Sequence, residues 1–182
     1  MRKYLILLCP FLLIQCHPLK KRNMRHKFEF YTFYNQFYIE NKGGNADTSS
    51  DSFWTEKSFK DGLAIGEGII GVGTKSYGYI KGDIEVLAKS RDNVNFDLYD
   101  HIVEGGINID SGTLEIRNCP DASLELSLKI KPGKYRIRIY GSNYDSVLEP
   151  DLAKNTDKDY YKIEIWPDNN MECKILKQYI RN

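Results

Sequence analysis

Residues 124–141 read LELSLKIKPGKYRIRIYG, and this stretch decides the fold class of the chain. Apolar and polar side chains alternate on both sides of Pro132-Gly133, which predicts two strands that each bury one face. If the two strands form a tight hairpin, Leu128 faces Ile137 and the apolar sets meet on one side of a sheet. Pro-Gly favours a type II turn, whose twist suits a tight hairpin poorly, so an arch between two sheets is the alternative.

Composition extends this prediction to the whole chain. The 182 residues include 13 Tyr and 8 Phe, and aromatic side chains suit the pleated, half-buried surface of a strand. We therefore predict an all-β fold in residues 28–182: an antiparallel β-sandwich of about eight or nine strands with Greek-key or jelly-roll-like connections. A short helix is expected near residues 55–61, with Thr55 as its N-cap and Gly62 as its stop.

Other runs have the pattern of strands and loops. Residues 28–40 are rich in aromatic side chains and are interpreted as the first strand, and residues 77–89 as another. Residues 101–109 and 113–117 flank a short polar turn and are predicted to form a second hairpin. Residues 142–159 are acidic and irregular, which predicts a long loop of the kind that often carries function.

The N-terminus has the anatomy of an export signal. Residues 1–16 combine a basic start with an apolar run that is too short to span a bilayer, which predicts a signal peptide. Cys16 ends a lipobox-like stretch and is the candidate lipidation site, which would place the protein in the cell envelope with a lipid anchor. Residues 17–27 are interpreted as a basic tether. The alternative is translation from Met24, which would give a cytoplasmic protein.

The candidate partner-binding face consists of Lys129, Arg136 and Arg138, on the polar side of the two strands in residues 124–141. Such a basic stripe suits an acidic protein. The formal net charge of +1 argues against a nucleic-acid partner. We expect the partner to be another protein, with membrane contact only through a lipid anchor.

Asp100, His101 and Glu104 are weak candidates for a metal site, because imidazole and carboxylate groups ligate divalent ions. In a strand, however, His101 and Glu104 point to opposite faces, since their separation is odd. The glycines of residues 63–74 do not have the spacing of a nucleotide-binding loop. We predict no catalytic residue and no cofactor.

The two cysteines beyond residues 1–16 are Cys119 and Cys173. The sequence is consistent either with a disulfide between them or with two free thiols. An oxidising compartment would allow them to pair. Separated single cysteines are more often small buried side chains.

Several segments together resemble a bacterial family of small β-sandwich proteins that is distantly similar to competence protein J, an inhibitor of a DNA-entry nuclease. They are FYNQFYI (33–39), FWT (53–55), LAIGEGIIGVGT (63–74), HIVEGGINIDSGTLEI (101–116), IKPGKYRIRIY (130–140) and YYKIEIWP (160–167). The resemblance covers residues 28–167 and implies a fold more than an activity.

Three functional hypotheses follow. The first is a non-enzymatic protein-binding module that, as an envelope lipoprotein, presents its loops to a partner. The alternative, implied by the resemblance and consistent with a start at Met24, is an intracellular nuclease inhibitor like competence protein J. The third and weakest is a metal-dependent hydrolase that uses the segment from Asp100 to Glu104.

Overall fold

The computed structural model describes residues 24–44 and 46–181. These residues form eleven strands and one α-helix: β1 Arg25–Thr32, β2 Gln36–Asn41, α1 Glu56–Asp61, β3 Leu63–Gly66, β4 Ile69–Gly73, β5 Gly78–Val86, β6 His101–Ile109, β7 Thr113–Arg117, β8 Leu124–Lys129, β9 Gly133–Ser142, β10 Tyr160–Pro167 and β11 Lys174–Lys177. Short 3₁₀ turns occur at Phe96–Leu98 and Tyr144–Ser146. Among these residues no helix has the length and apolar composition needed to cross a bilayer.

The strands form two sheets that pack face to face. Sheet A has six strands in the order β1-β5-β10-β9-β6-β11, and sheet B has five in the order β3-β4-β2-β7-β8. All pairs are antiparallel except β5 with β10, which is parallel. The predicted all-β sandwich is confirmed.

Alternating side chains from both sheets fill the space between them. In sheet B, Phe37 and Ile39 of β2 are fully buried, as are Ile163 and Ile165 of β10 in sheet A. The Tyr161 ring lies 6.0 Å from that of Phe37 and joins the two layers. Burying a side chain of this size contributes about 1.5–3 kcal/mol, so the contact between the sheets is the main source of stability.

The two strands of residues 124–141 do not form a tight hairpin. β8 belongs to sheet B, where Leu128 pairs with Leu114, and β9 belongs to sheet A, where Ile137 pairs with Ile165. The arch, the alternative in the prediction, is therefore what forms. The alternating pattern specifies only that each strand buries one face. In the arch, the apolar face of β8 and the apolar face of β9 are both buried between the two sheets.

The same crossing occurs at other turns and corrects two further predictions. β6 lies in sheet A and β7 in sheet B, so residues 101–117 form an arch where a hairpin was predicted. Residues 28–40 are not one strand, because β1 lies in sheet A, β2 in sheet B, and the chain turns between them. The division of residues 28–40 adds one strand to the expected number, and residues 63–74 contribute two strands, β3 and β4.

The short helix α1 forms where the sequence predicted it, with the predicted residues at both ends. The Thr55 side chain accepts a hydrogen bond from the backbone N–H of Ser58 at 3.2 Å, which is the predicted N-cap. Gly62 ends the helix with φ +64°, the left-handed conformation that glycine adopts at least cost.

We predict that Gly82→Ala will lower the free energy of unfolding by about 1–3 kcal/mol or more, because a methyl group has no room at this position of β5. A Cβ there would lie 2.2 Å from the Phe28 ring and 2.3 Å from the carbonyl oxygen of Tyr161, which is backbone and cannot rotate away. Urea denaturation of the variant and the wild type measures the difference. Equal midpoints would contradict this account of the β1–β5–β10 packing.

Candidate protein-binding site

The structure separates the three residues of the predicted partner-binding face. Lys129 lies on β8 in sheet B, where its ammonium donates a hydrogen bond to the Thr113 hydroxyl at 2.8 Å. Arg136 and Arg138 lie on β9 in sheet A. The basic stripe is thus divided between two sheets, because the arch replaces the hairpin. That these residues contact a partner stays a prediction.

Both arginines pair with one carboxylate on the outer face of sheet A. Arg136 Nε lies 2.7 Å from one oxygen of Glu104 and Arg138 Nε lies 2.5 Å from the other. The side chains of Arg136 and Glu104 are only 4% and 7% exposed. Arg136 also donates to the backbone carbonyl of Glu172 at 2.9 Å, which ties β9 to the segment that covers this face. These contacts give the two arginines a structural role.

The three weak metal candidates are not brought together. Glu104 lies with the arginines on the outer face, whereas His101 lies at the inner side of β6 against the Tyr144 ring. Asp100 accepts a hydrogen bond from the backbone N–H of Tyr144 at 2.8 Å. In the described ranges, no group of three His, Cys, Asp or Glu side chains has the arrangement of a metal site.

His101 connects three parts of the chain through both ring nitrogens. Nδ1 accepts a hydrogen bond from the backbone N–H of Tyr179 at 3.2 Å, so the proton is on Nε2, which donates to the carbonyl oxygen of Asp61 at 2.8 Å. Burial lowers the pKa of His101. The neutral ring therefore fixes the end of α1 and the C-terminal segment to β6.

The predicted lipidation site and signal peptide, Cys16 and residues 1–16, lie outside the described residues, as does most of the tether in residues 17–27; β1 begins at Arg25. Cys119 and Cys173 are both free thiols, the first buried and the second exposed.

An exposed aromatic cluster lies where β1 and β5 approach the β1–β2 turn, and two of its residues, Tyr31 and Phe33, come from the aromatic-rich residues 28–40. The Tyr31 ring packs edge-to-face on Phe33 at 5.0 Å and on Tyr79 at 5.8 Å, and Phe33 packs on Tyr77 at 5.6 Å. Tyr31, Phe33 and Tyr79 all remain exposed to solvent. Tyrosine anchors of this kind are enriched at the centres of protein interfaces.

The turn between β1 and β2 places a further aromatic residue beside this cluster. Tyr34 and Asn35 both have left-handed backbone conformations, with φ +58° and +53°, and the Tyr34 side chain is 63% exposed. The Asn35 amide donates to the carbonyl oxygens of Lys75 at 3.1 Å and Pro150 at 2.9 Å. These bonds hold the exposed Tyr34 in a conformation that is uncommon for a bulky residue.

The long loop predicted for residues 142–159 lies against the same turn. It contains five Asp and Glu residues and two Lys residues, which gives a formal charge of −3 (2 − 5). Leu148 and Leu152 are 69% and 55% exposed. Ala153 lies next to Gly78, as does the Tyr31 ring, so the acidic loop adjoins the aromatic cluster.

A cavity of about 330 Å³ opens between the turn, the acidic loop and the C-terminal segment. The Lys75 ammonium lies inside it, 4.7 Å from the centre of the Tyr179 ring and 5.5 Å from that of Tyr144. Burial lowers the pKa of Lys75. The cavity adds a partly desolvated cation to a surface that is otherwise aromatic and acidic.

A second cavity, of about 610 Å³, lies on the outer face of sheet B beside residues 43–49. Glu40 and Arg117 form an ion pair there at 2.6 Å, and Gln36 donates a hydrogen bond to the Cys119 thiol at 3.2 Å. Burial raises the pKa of Tyr38 to about 12. The polar groups that line this cavity satisfy one another, so the aromatic and acidic surface is the better candidate site.

Comparison with known proteins supports the fold. The chain is similar to the crystal structure of ComJ from Bacillus subtilis, an inhibitor of the DNA degrading activity of NucA, with a TM-score of 0.61 and 17% identity over 80% of this chain and 98% of ComJ. A structure described as crocagin biosynthetic gene J has a TM-score of 0.48 at 17% identity, over 80% and 99% of the two chains. No protein-family model and no curated protein matches the sequence. The likeness to ComJ confirms the fold that the sequence resemblance implied.

We predict that Glu104→Gln will lower the free energy of unfolding by about 3–5 kcal/mol, because it leaves the buried Arg136 and the half-buried Arg138 without their counter-charge. The control is Asp92→Asn, which removes an exposed pair with Lys89 at 3.3 Å and is expected to cost at most about 1 kcal/mol. Denaturant titration measures both. A loss in Glu104→Gln no larger than in the control would show that the arginines do not depend on this carboxylate.

Acidification should destabilise the fold through His101. Its pKa is lowered in the folded state, so the unfolded chain takes up the proton first, from about pH 6.5 downward. The neutral ring therefore contributes to the free energy of unfolding at pH 7.5, and this contribution is lost as the pH falls. We expect the free energy of unfolding to drop less between pH 7.5 and 5.5 in His101→Gln than in the wild type. Parallel curves for the two proteins would exclude this role.

Proposed function

We propose that this chain is a non-enzymatic protein-binding module whose partner is a nuclease. The observation that carries the proposal is the exposed aromatic cluster beside an acidic loop with exposed leucines, because large aromatic and apolar anchors ringed by charge are the usual components of a protein interface.

The charge of the loop favours this class of partner. A nuclease binds the phosphate backbone of DNA through Lys and Arg side chains. Asp159 of the loop is buried and Glu149 pairs with Lys154, but the carboxylates of Asp145, Glu149 and Asp151 are exposed. These exposed carboxylates complement such a basic surface and would occupy it in place of DNA. ComJ, which shares the fold, is an inhibitor of a DNA degrading activity, and this is the second support for the proposal.

This proposal reverses the charge expected of the partner. The sequence pointed to an acidic protein docking on Lys129, Arg136 and Arg138, but Arg136 and Arg138 are paired with Glu104. The acidic loop is the more accessible charged surface beside the aromatic cluster, and it suits a basic partner.

Lipid attachment at Cys16 and translation from Met24 remain predictions that decide which nucleases the chain can meet. Intact mass and fractionation of the native protein separate them. A diacylglyceryl group on Cys16 would place the chain in the envelope and direct the search to nucleases there, whereas a soluble species that begins at Met24 would direct it to the cytoplasm.

We expect stoichiometric chain to protect supercoiled plasmid from a nuclease of the same organism, and to bind that nuclease in biolayer interferometry. Reversing two loop charges with Glu149→Lys and Asp151→Lys should slow association by about tenfold or more and weaken the dependence on salt, because charged groups at an interface steer the encounter.

The matched control is Glu67→Lys, an exposed charge reversal in the turn between β3 and β4, which should leave association unchanged. If no nuclease of the organism binds the chain, the proposed function is wrong. If a nuclease binds both charge variants equally well, the acidic loop is not the contact surface.

A further inference from the structure

β1 is the least protected edge of the two sheets. It has eight residues, each of which pairs with β5 in unbroken register. The other three edges are blunted: β3 and β11 have four residues each, the ladder of β11 contains a register shift, and that of β8 contains another. Short and bulged edge strands resist pairing with another chain, whereas a long regular edge invites it.

The outward side of β1 offers unpaired backbone groups. β1 ends the strand order of sheet A, so within residues 24–44 and 46–181 no strand neighbours its N–H and C=O groups that point away from β5. Among the described residues, none of the backbone hydrogen bonds formed outside the regular ladders and helices involves residues 25–31. A strand of another chain can therefore be added along this edge.

The charges along β1 are complementary to those of a second copy in one antiparallel register. Lys27 and Glu29 are exposed on the same face of the strand, one on each side of the inward-facing Phe28. A two-fold axis at Phe28 places Lys27 of each copy opposite Glu29 of the other, at a distance where opposite charges stabilise a sheet. An axis at Glu29 would place the two Glu29 carboxylates opposite each other. An axis at Lys27 would place the two Lys27 ammonium groups opposite each other and Arg25 opposite Glu29, but Arg25 is already paired with Asp83 at 3.3 Å.

Glu29 is available for this contact. Its carboxylate lies 3.0 Å from the Lys81 ammonium, but both side chains are more than half exposed, at 52% and 58%, so this pair is weak. A carboxylate has two oxygens and accepts from two ammonium groups at once. Lys81 can therefore remain in place when Lys27 of a second copy approaches.

We infer that the chain forms a two-fold symmetric dimer by antiparallel pairing of its β1 strands, centred on Phe28. The two copies of sheet A become one continuous sheet, and the interface is isologous, with Lys27 and Glu29 contributing the same contact twice. In this register Tyr31 of the aromatic cluster lies opposite Arg25 of the other copy. This dimer rests on the edge of β1 and does not depend on the proposed nuclease partner.

Sedimentation velocity and light scattering of the purified chain at about 100 μM test the inference. We expect a dimer for the wild type. Lys27→Glu and Glu29→Lys should each weaken it by about tenfold or more, because each places two like-charged pairs in the interface. The double variant Lys27→Glu/Glu29→Lys exchanges the charges and should restore the dimer.

Lys89→Glu, a charge reversal in the exposed segment after β5, is the control and should leave the dimer intact. Circular dichroism verifies that all variants are folded. A monomeric wild type, a dimer that the single variants do not weaken, or a double variant that fails to recover would each overturn the inference.

Discussion

The cover on the outer face of sheet A depends on ion pairs centred on one buried carboxylate. Glu164 of β10 is fully buried, and Arg91, Lys162 and the Tyr140 hydroxyl all contact its carboxylate within 2.9 Å. Burial alone would raise the pKa of Glu164, but these partners hold it below its usual value. The loop after β5 and the segment after β10 lie against this layer, so the outer face of the central strands of sheet A is covered.

Much of the fold could be predicted because the chain's local signals agree with it. Period-two alternation specified strands, and Thr55 and Gly62 specified a helix, all of which the structure contains. What could not be predicted is which strands are neighbours. An arch and a hairpin bury the same side chains, and the pattern in residues 124–141 is equally consistent with both. Sheet membership is decided by packing between segments that are distant in sequence.

The candidate site was harder to predict than the fold, for the same reason. Charged residues that alternate with apolar ones are typical of a solvent-facing side, yet Arg136 is buried and Arg138 is half-buried. Both pair with Glu104, and Arg136 also bonds to the segment that covers this face. The exposed aromatic surface comes from β1, the β1–β2 turn and β5, none of which contains a motif. Of the predicted functional features, the acidic loop was identified correctly as a long irregular segment. Its position beside Tyr31 follows only from the tertiary structure.

The parallel contact between β5 and β10 also constrains how the chain folds. Ile84 pairs with Ile163. Among the described residues, β10 is the strand that lies between β5 and β9 in sheet A and pairs with both. The central ladder of this sheet therefore cannot form until β10, Tyr160–Pro167, has been synthesised. Folds dominated by such non-local pairs fold in milliseconds to seconds, since the entropy of closing long loops is lost before the contacts form. During that interval β5 and β9 each lack the neighbour that β10 later provides, so the nascent chain presents unpaired strand edges to which other polypeptides can add and aggregate.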